Sequence, residues 1–222
     1  MNRLGKRLAA LRDAVTEDYD DIWDVCCDHG FLGESLLLLD RVKHLHLVDQ
    51  LPVITKQLEE RFNKYPEEQY SIYTCAGEEL VFYKNRKTLV IISGVGGETV
   101  VDILSALAVN NDLKGIDFLL SPANHAYQLR AYLRQQHYGL IKESVVFERR
   151  RGYELLSVRL DSSLPLVGEV GEVWNLKHHH HRKHIEGLLA HYRKRMKNSS
   201  QRVQAKMIAA KYKQLFNEEV TV

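Results

Sequence analysis

The chain has 222 residues, 45% hydrophobic and 27% charged, with a net charge of +2. That is enough apolar material for one sizeable core with an appendage, and the absence of any run of about 18 apolar residues argues against a membrane-spanning helix. The three cysteines, Cys26, Cys27 and Cys75, have no Cys-x-x-Cys spacing; they give no disulfide framework and point to a reducing, cytoplasmic setting.

In chain order, Leu4, Leu8, Leu11 and Val15 recur at helical spacing. Charges interrupt the N-terminus too often for a secretory signal, and Asp13, Glu17, Asp18, Asp20 and Asp21 argue against a transit peptide, so a first helix is expected. Strands are expected at 22–27, 44–49, 70–75, 89–93 and 117–121, each a short apolar run ending in a loop. Helical patterns follow at 31–39, 52–62, 98–107 and 126–136. Strand and helix alternate with short connections, which implies a parallel sheet covered on both faces. The alternation then breaks. Runs 140–147 and 153–160 are joined by Glu148-Arg149-Arg150-Arg151-Gly152 with no room for a helix, which predicts an antiparallel hairpin. Five βα units closed by such a hairpin make a mostly parallel seven-stranded sheet, the pattern of the class I, Rossmann-like α/β methyltransferases.

A linker at Asp161 to Pro165 separates this 1–160 unit from residues 166–222, where 184–196 and 201–216 predict a helical hairpin. Between Lys177 and Lys213 the basic residues Lys177, Arg182, Lys183, Arg193, Lys194, Arg195, Lys197, Arg202, Lys206, Lys211 and Lys213 are opposed by Glu186 alone. A near-neutral chain with one strongly basic end suggests a polyanionic partner, RNA first among them. The run His178–His181 sits inside this segment and is read as a solvated basic helix start, with no metal required.

A cofactor in such a sheet binds beyond the carboxyl ends of the strands. The first strand ends in Asp24-Val25-Cys26-Cys27-Asp28-His29-Gly30 without the Gly-x-Gly-x-x-Gly that a pyrophosphate needs. S-adenosylmethionine has no phosphate, and loop carboxylates suit its ammonium group. Asp49 closes the second strand, where an acid accepts ribose hydroxyls. Gly77 and Glu78 close the third, where a polar group meets adenine. Gly94-Val95-Gly96-Gly97 closes the fourth and allows close backbone approach. Cys26 and Cys27 read as small packing residues rather than nucleophiles. Tyr83, Tyr127, Tyr132 and Tyr138 are candidates for stacking on a flipped base, most of them expected to be core or surface residues.

These motifs resemble the TrmK family of bacterial tRNA (adenine-N1)-methyltransferases over most of the chain. Lys6-Arg7-Leu8 is similar to the family's opening Lys/Ser-x-Arg-Leu, and Asp24-Val25-Cys26-Cys27-Asp28-His29 to its Asp-[aliphatic]-Gly-Ser-Asp-His, with Cys26 where the family carries Gly. Gly94-Val95-Gly96-Gly97 is similar to Gly-Met-Gly-Gly. Ser121-Pro122-Ala123-Asn124 before Gln128-Leu129-Arg130 is similar to Gln-Pro-Asn before Gln-Leu-Arg, with the Asn one place later. The helical extension is also a family trait. The resemblance implies S-adenosylmethionine as cofactor, tRNA as partner and N1 of an adenine in the D-arm region, adenine 22, as target. Asp28, Gly94 and Asn124 are then the expected catalytic residues. Asp24, Cys26, Asp28, His29, Asp49, Gly77, Glu78, Gly94 and Gly96 are the expected cofactor contacts. Arg7, Lys177, Arg182, Lys183, Arg193, Lys194, Arg195 and Lys197 are expected on RNA, and a monomer is favoured. Two rival readings are a methyltransferase for another RNA or a small molecule, and a non-catalytic RNA-binding protein with a degenerate cofactor fold.

Overall fold

A computed structural model describes residues 4–39, 41–149 and 151–218. Arg150 of the expected hairpin turn and residues 219–222 of the expected extension lie outside them. The strands are β1 (Tyr19–Val25), β2 (Val42–Asp49), β3 (Tyr70–Thr74), β4 (Thr88–Ser93), β5 (Asp117–Ser121), β6 (Gly139–Glu148) and β7 (Arg151–Arg159). The helices are α1 (Lys6–Ala14), α2 (Phe31–Leu37), α3 (Pro52–Phe62), α4 (Gly97–Asn110), α5 (Ala126–Gln135), α6 (His179–Arg195) and α7 (Arg202–Glu218).

One sheet holds all seven strands in the order β3-β2-β1-β4-β5-β7-β6. β1 to β5 pair in parallel, and β7 runs antiparallel to both β5 and β6. The class I methyltransferase architecture expected from the sequence is the one observed. β4 and β5 are buried at every position because helices cover both faces. Along β4 the side chains alternate between two cores. Val90 and Ile92 join Val100, Ile103, Leu104 and Leu107 of α4, while Leu89 and Ile91 join Leu11, Leu36 and Leu58 on the opposite face. The order of strands reverses between β1 and β4, so their carboxyl ends splay apart and leave a crevice there.

The segment after β7 is a packed strap rather than a bare linker. Leu140 N–H donates to Pro165 O at 2.7 Å, Leu166 bridges Gly139, and Val167 is buried in the α4–α5 core. Arg130 of α5 fastens the strap. It is wholly buried, donates to Glu154 and Glu143 at 2.6 Å each, and donates to Gly168 O at 3.0 Å. Glu143 also accepts the Glu172 N–H. A buried guanidinium with two carboxylates and a carbonyl around it has its donors directed at acceptors, which is what makes such a burial tolerable.

α6 and α7 form the expected hairpin. Ile185, Leu189 and Tyr192 of α6 meet Ala205, Ile208 and Tyr212 of α7, and Tyr127 of α5 joins this third core. Thus the hairpin is seated on the sheet domain through α5. α6 begins at His179, five residues before the position the apolar spacing indicates, because His181 and His184 pack against Phe147 and Trp174 instead of pointing only to solvent. Among the described residues no helix is long and apolar enough to cross a membrane, and no group of three or more His, Cys, Asp or Glu is placed to hold a metal ion.

Candidate functional site

A cavity of about 430 Å³ opens at the carboxyl ends of β1 to β4. Its first wall is the loop after β1. Cys26, Asp28 and Gly30 all adopt left-handed backbone, with φ of 59°, 50° and 69°, which coils the loop tightly before α2 begins. The coil turns Asp28 and His29 outward, both exposed and 3.7 Å apart at Oδ1 and Nε2. Cys27 N–H is tied to Val48 O at 3.1 Å, which anchors the coil to β2.

Asp49 at the end of β2 is the hub of the second wall. Its Oδ2 accepts the Asp28 N–H at 3.3 Å and its Oδ1 accepts the Leu51 N–H at 3.0 Å. Each oxygen keeps a second lone pair for a ligand hydroxyl. Asp24, near the end of β1, is buried with no ion-pair partner among the described residues; burial pushes its carboxyl up to about 7, with the Gly33 backbone N–H opposing the shift. Gly77 and Glu78 after β3 also line the cavity, Gly77 against Val25 at the end of β1. Gly94, at φ 85°, turns the chain out of β4 in a conformation that suits glycine and opens the cleft floor.

The structure therefore brings Asp24, Cys26, Asp28, His29, Asp49, Gly77, Glu78 and Gly94 to one cavity. It does not bring Gly96 or Asn124 there. Ala123 N–H donates to Val95 O at 2.7 Å and Gly97 N–H donates to Asn124 O at 2.9 Å, so the loops after β4 and β5 are laced together. The lacing carries Asn124 past the cleft to a different cavity, and Gly96 is packed against the Asn124 side chain. The left-handed His125, at φ 54°, then starts α5. Gly97 also belongs to the lacing: a Cβ there would lie 2.3 Å from His125 O.

Arg7, expected on RNA, lines the mouth of the cleft beside Gly94. Its guanidinium lies 5.1 Å from the centre of the Tyr153 ring, and that of Arg151 lies 5.4 Å from the same ring. Arg151 was not singled out by sequence; its position inside an Arg-rich turn was the available signal. Lys177, just before α6, and Lys183, Arg193, Lys194 and Lys197 on the hairpin are exposed, whereas the exposed Arg182 lies over the Phe216 ring at 5.4 Å and donates to Leu176 O at 3.1 Å. Arg195 is half-buried, donating to Gln201 at 3.1 Å. Tyr138 is buried in the α4–α5 core, and Tyr83 is exposed beside Trp23 and His46.

No curated protein sequence matches the chain. Among solved structures, the Bacillus subtilis M1A22 tRNA methyltransferase TrmK has 19% sequence identity and a TM-score of 0.74, covering 98% of this chain and 97% of that one. Mycoplasma capricolum TrmK, solved in complex with the cofactor product S-adenosyl-homocysteine, has 18% identity and a TM-score of 0.75, over 96% and 98%. The Streptococcus pneumoniae protein Sp1610, in complex with S-adenosyl-L-methionine, has 19% identity and a TM-score of 0.67, over 96% and 99%. The fold, helical hairpin included, is shared at this level of identity. A model of the family described as "Methyltransferase domain" matches residues 4–156, the part that builds the sheet and its cleft. The chain belongs to that methyltransferase domain family.

Proposed function

We propose that this protein transfers a methyl group from S-adenosylmethionine to N1 of an adenine in tRNA, at the position, adenine 22, on which the Bacillus subtilis TrmK is named as acting. The observation that carries the reading is the gathering of Asp24, Asp28, Asp49, Glu78 and Gly94 from four strand ends into one cavity. The chemistry of this donor set fits the cofactor. A buried carboxyl lacking a cation, Asp24, suits an ammonium group. Asp49, with lone pairs to spare, suits a ribose diol, and Glu78 suits an exocyclic amine.

The bound cofactor supplies an electrophilic methyl carried on a sulfonium. Adenine N1 is already a lone-pair nucleophile, so the protein's part is alignment, exclusion of water and electrostatics. Asp28 stands exposed at the mouth, where its carboxylate stabilises the positive charge that N1 acquires. Gly94 leaves room for the approaching base. N1 of a paired adenine is inaccessible, so the base enters unpaired or flipped. The basic face of the hairpin holds the tRNA phosphates.

The test is incubation of the protein with isotope-labelled S-adenosylmethionine and tRNA transcripts, followed by nucleoside analysis. Label in 1-methyladenosine, abolished by replacing adenine 22 with guanine, is the expected result. Label elsewhere assigns another RNA target. Cofactor binding without transfer to any RNA favours a small-molecule methyltransferase, and RNA binding without cofactor binding favours the non-catalytic reading.

A further inference from the structure

A second cavity, of about 330 Å³, lies where the β5–α5 loop, β7 and the helical hairpin meet. Among the described residues none lines both this cavity and the cofactor cleft. The laced loops Val95–Ala123 and Gly97–Asn124 form the wall between them. Methyl transfer needs reacting atoms about 3–3.5 Å apart, so a group seated in the second cavity is not the one methylated.

The walls have a consistent chemistry. Tyr127, Tyr192 and Tyr212 are each nearly or fully buried and supply aromatic surface, with the Tyr192 and Tyr212 rings 6.2 Å apart and within 19° of parallel. His184 accepts the Gly152 N–H on Nδ1 at 3.2 Å, which leaves its Nε2 carrying the proton as a donor. Burial holds its pKa down at about 4, so it stays neutral near pH 7. Glu154 adds a buried carboxylate oriented by Arg130. Aromatic walls with a few fixed donors and acceptors suit a planar heterocycle, and the volume suffices for one base.

The ridge between the two cavities is cationic. Arg7 lines the cofactor cleft, Arg151 lines the second cavity, and both guanidinium groups rest on the single Tyr153 ring. A dinucleotide step with one base in each cavity would lay its phosphate along this ridge.

We propose that the second cavity is a nucleobase site, taking an unpaired nucleotide next to the acceptor in the same RNA strand, with Arg7 and Arg151 at the connecting phosphate. The identity of the RNA rests on the function proposed above; the chemistry of the cavity does not.

The experiment saturates the protein with S-adenosylhomocysteine to fill the cleft, then titrates AMP, CMP, GMP and UMP by saturation-transfer NMR. Leu188→Trp fills the cavity from its α6 wall, and His191→Trp does so from an exposed position that tolerates bulk. Wild type is expected to bind at least one nucleotide, and a folded variant to bind it about tenfold more weakly with unchanged S-adenosylhomocysteine affinity. Arg151→Gln is expected to erase the preference for the monophosphate over its nucleoside. Absence of binding to all four nucleotides, or equal binding by wild type and His191→Trp, overturns the base site. A monophosphate preference that survives Arg151→Gln overturns the phosphate ridge. Nucleotide binding with this pattern in a protein that methylates no tRNA keeps the cavity and removes the target reading instead.

Discussion

The carboxylate of Asp49 accepts the backbone N–H of Asp28 at 3.3 Å, joining the loop after β2 to the coil after β1. One side chain thus both faces the expected ribose position and holds Asp28 in place. Asp49→Ala should weaken S-adenosylmethionine binding by about 1–3 kcal/mol, the range for leaving polar partners unpaired. Asp28→Ala, which keeps its own backbone N–H, should change affinity less. Calorimetry with both variants decides; equal affinity for wild type and Asp49→Ala would remove Asp49 from the site.

Asp24 makes cofactor affinity depend on pH. Its carboxyl sits at about 7 in the free protein because of burial. An arriving ammonium favours the carboxylate, so affinity should rise between about pH 6 and 8, with a proton released on binding at the lower end. Stability runs the other way. A carboxyl raised above its unfolded value stabilises the fold fully below the unfolded pKa, and that contribution is lost as pH rises through about 7. Asp24→Asn should flatten both profiles. Buffer-dependent calorimetry across that range and urea melts from about pH 4 to about pH 8 are the measurements, and a wild-type affinity independent of pH would count against the pairing.

Cys26 holds a left-handed backbone, φ 59°, at the position where the resembled family carries glycine. A side chain there costs roughly 1–2 kcal/mol, part of which glycine returns through the unfolded state's greater freedom. Cys26→Gly should therefore raise stability by roughly 1 kcal/mol without loss of cofactor binding. A lower denaturation midpoint would mean that thiol packing against the α4 core outweighs the backbone strain.

Much of this site was legible because strand ends are local in sequence. A short buried run names its own terminus, so Asp24, Asp49, Gly77 and Gly94 could be read without knowing the fold. Asn124 and Gly96 could not be placed that way: their directions are set by the Val95–Ala123 and Gly97–Asn124 hydrogen bonds between loops that meet only in three dimensions. The same holds for the second cavity, whose walls come from α5, β7 and both hairpin helices. Arg130 was visible only as part of a Gln-Leu-Arg string, since its two carboxylates lie on β6 and β7.

That buried arrangement gives a stability prediction. Arg130→Met removes the cation and leaves Glu143 and Glu154 facing each other without it. The loss should be about 3–5 kcal/mol, and it should loosen the strap at Gly168 as well. Chemical denaturation measures the first and hydrogen exchange of residues 166–172 the second; a change under about 1 kcal/mol would show that the carboxylates neutralise by taking up protons.

The hairpin carries the RNA prediction. Replacing Arg193, Lys194, Arg195 and Lys197 together with Gln should weaken tRNA binding and flatten its salt dependence, because fewer counterions are released. Cofactor affinity should stay as it is, the cleft being lined by other elements. Filter binding across a salt series tests this, and an unaltered slope would mean the basic face is merely solvated.

The place of β7 between β5 and β6 bears on how the chain is made. β6 emerges first but reaches the sheet only through β7, so the outer edge of β5 stays unpaired until synthesis has passed Arg159. Until then the nascent protein presents the backbone of Phe118 to Leu120, a ready template for pairing with another chain. The hairpin β6–β7 is local enough to close quickly once complete, which keeps that exposure brief. Truncations ending between β5 and β7 should therefore aggregate.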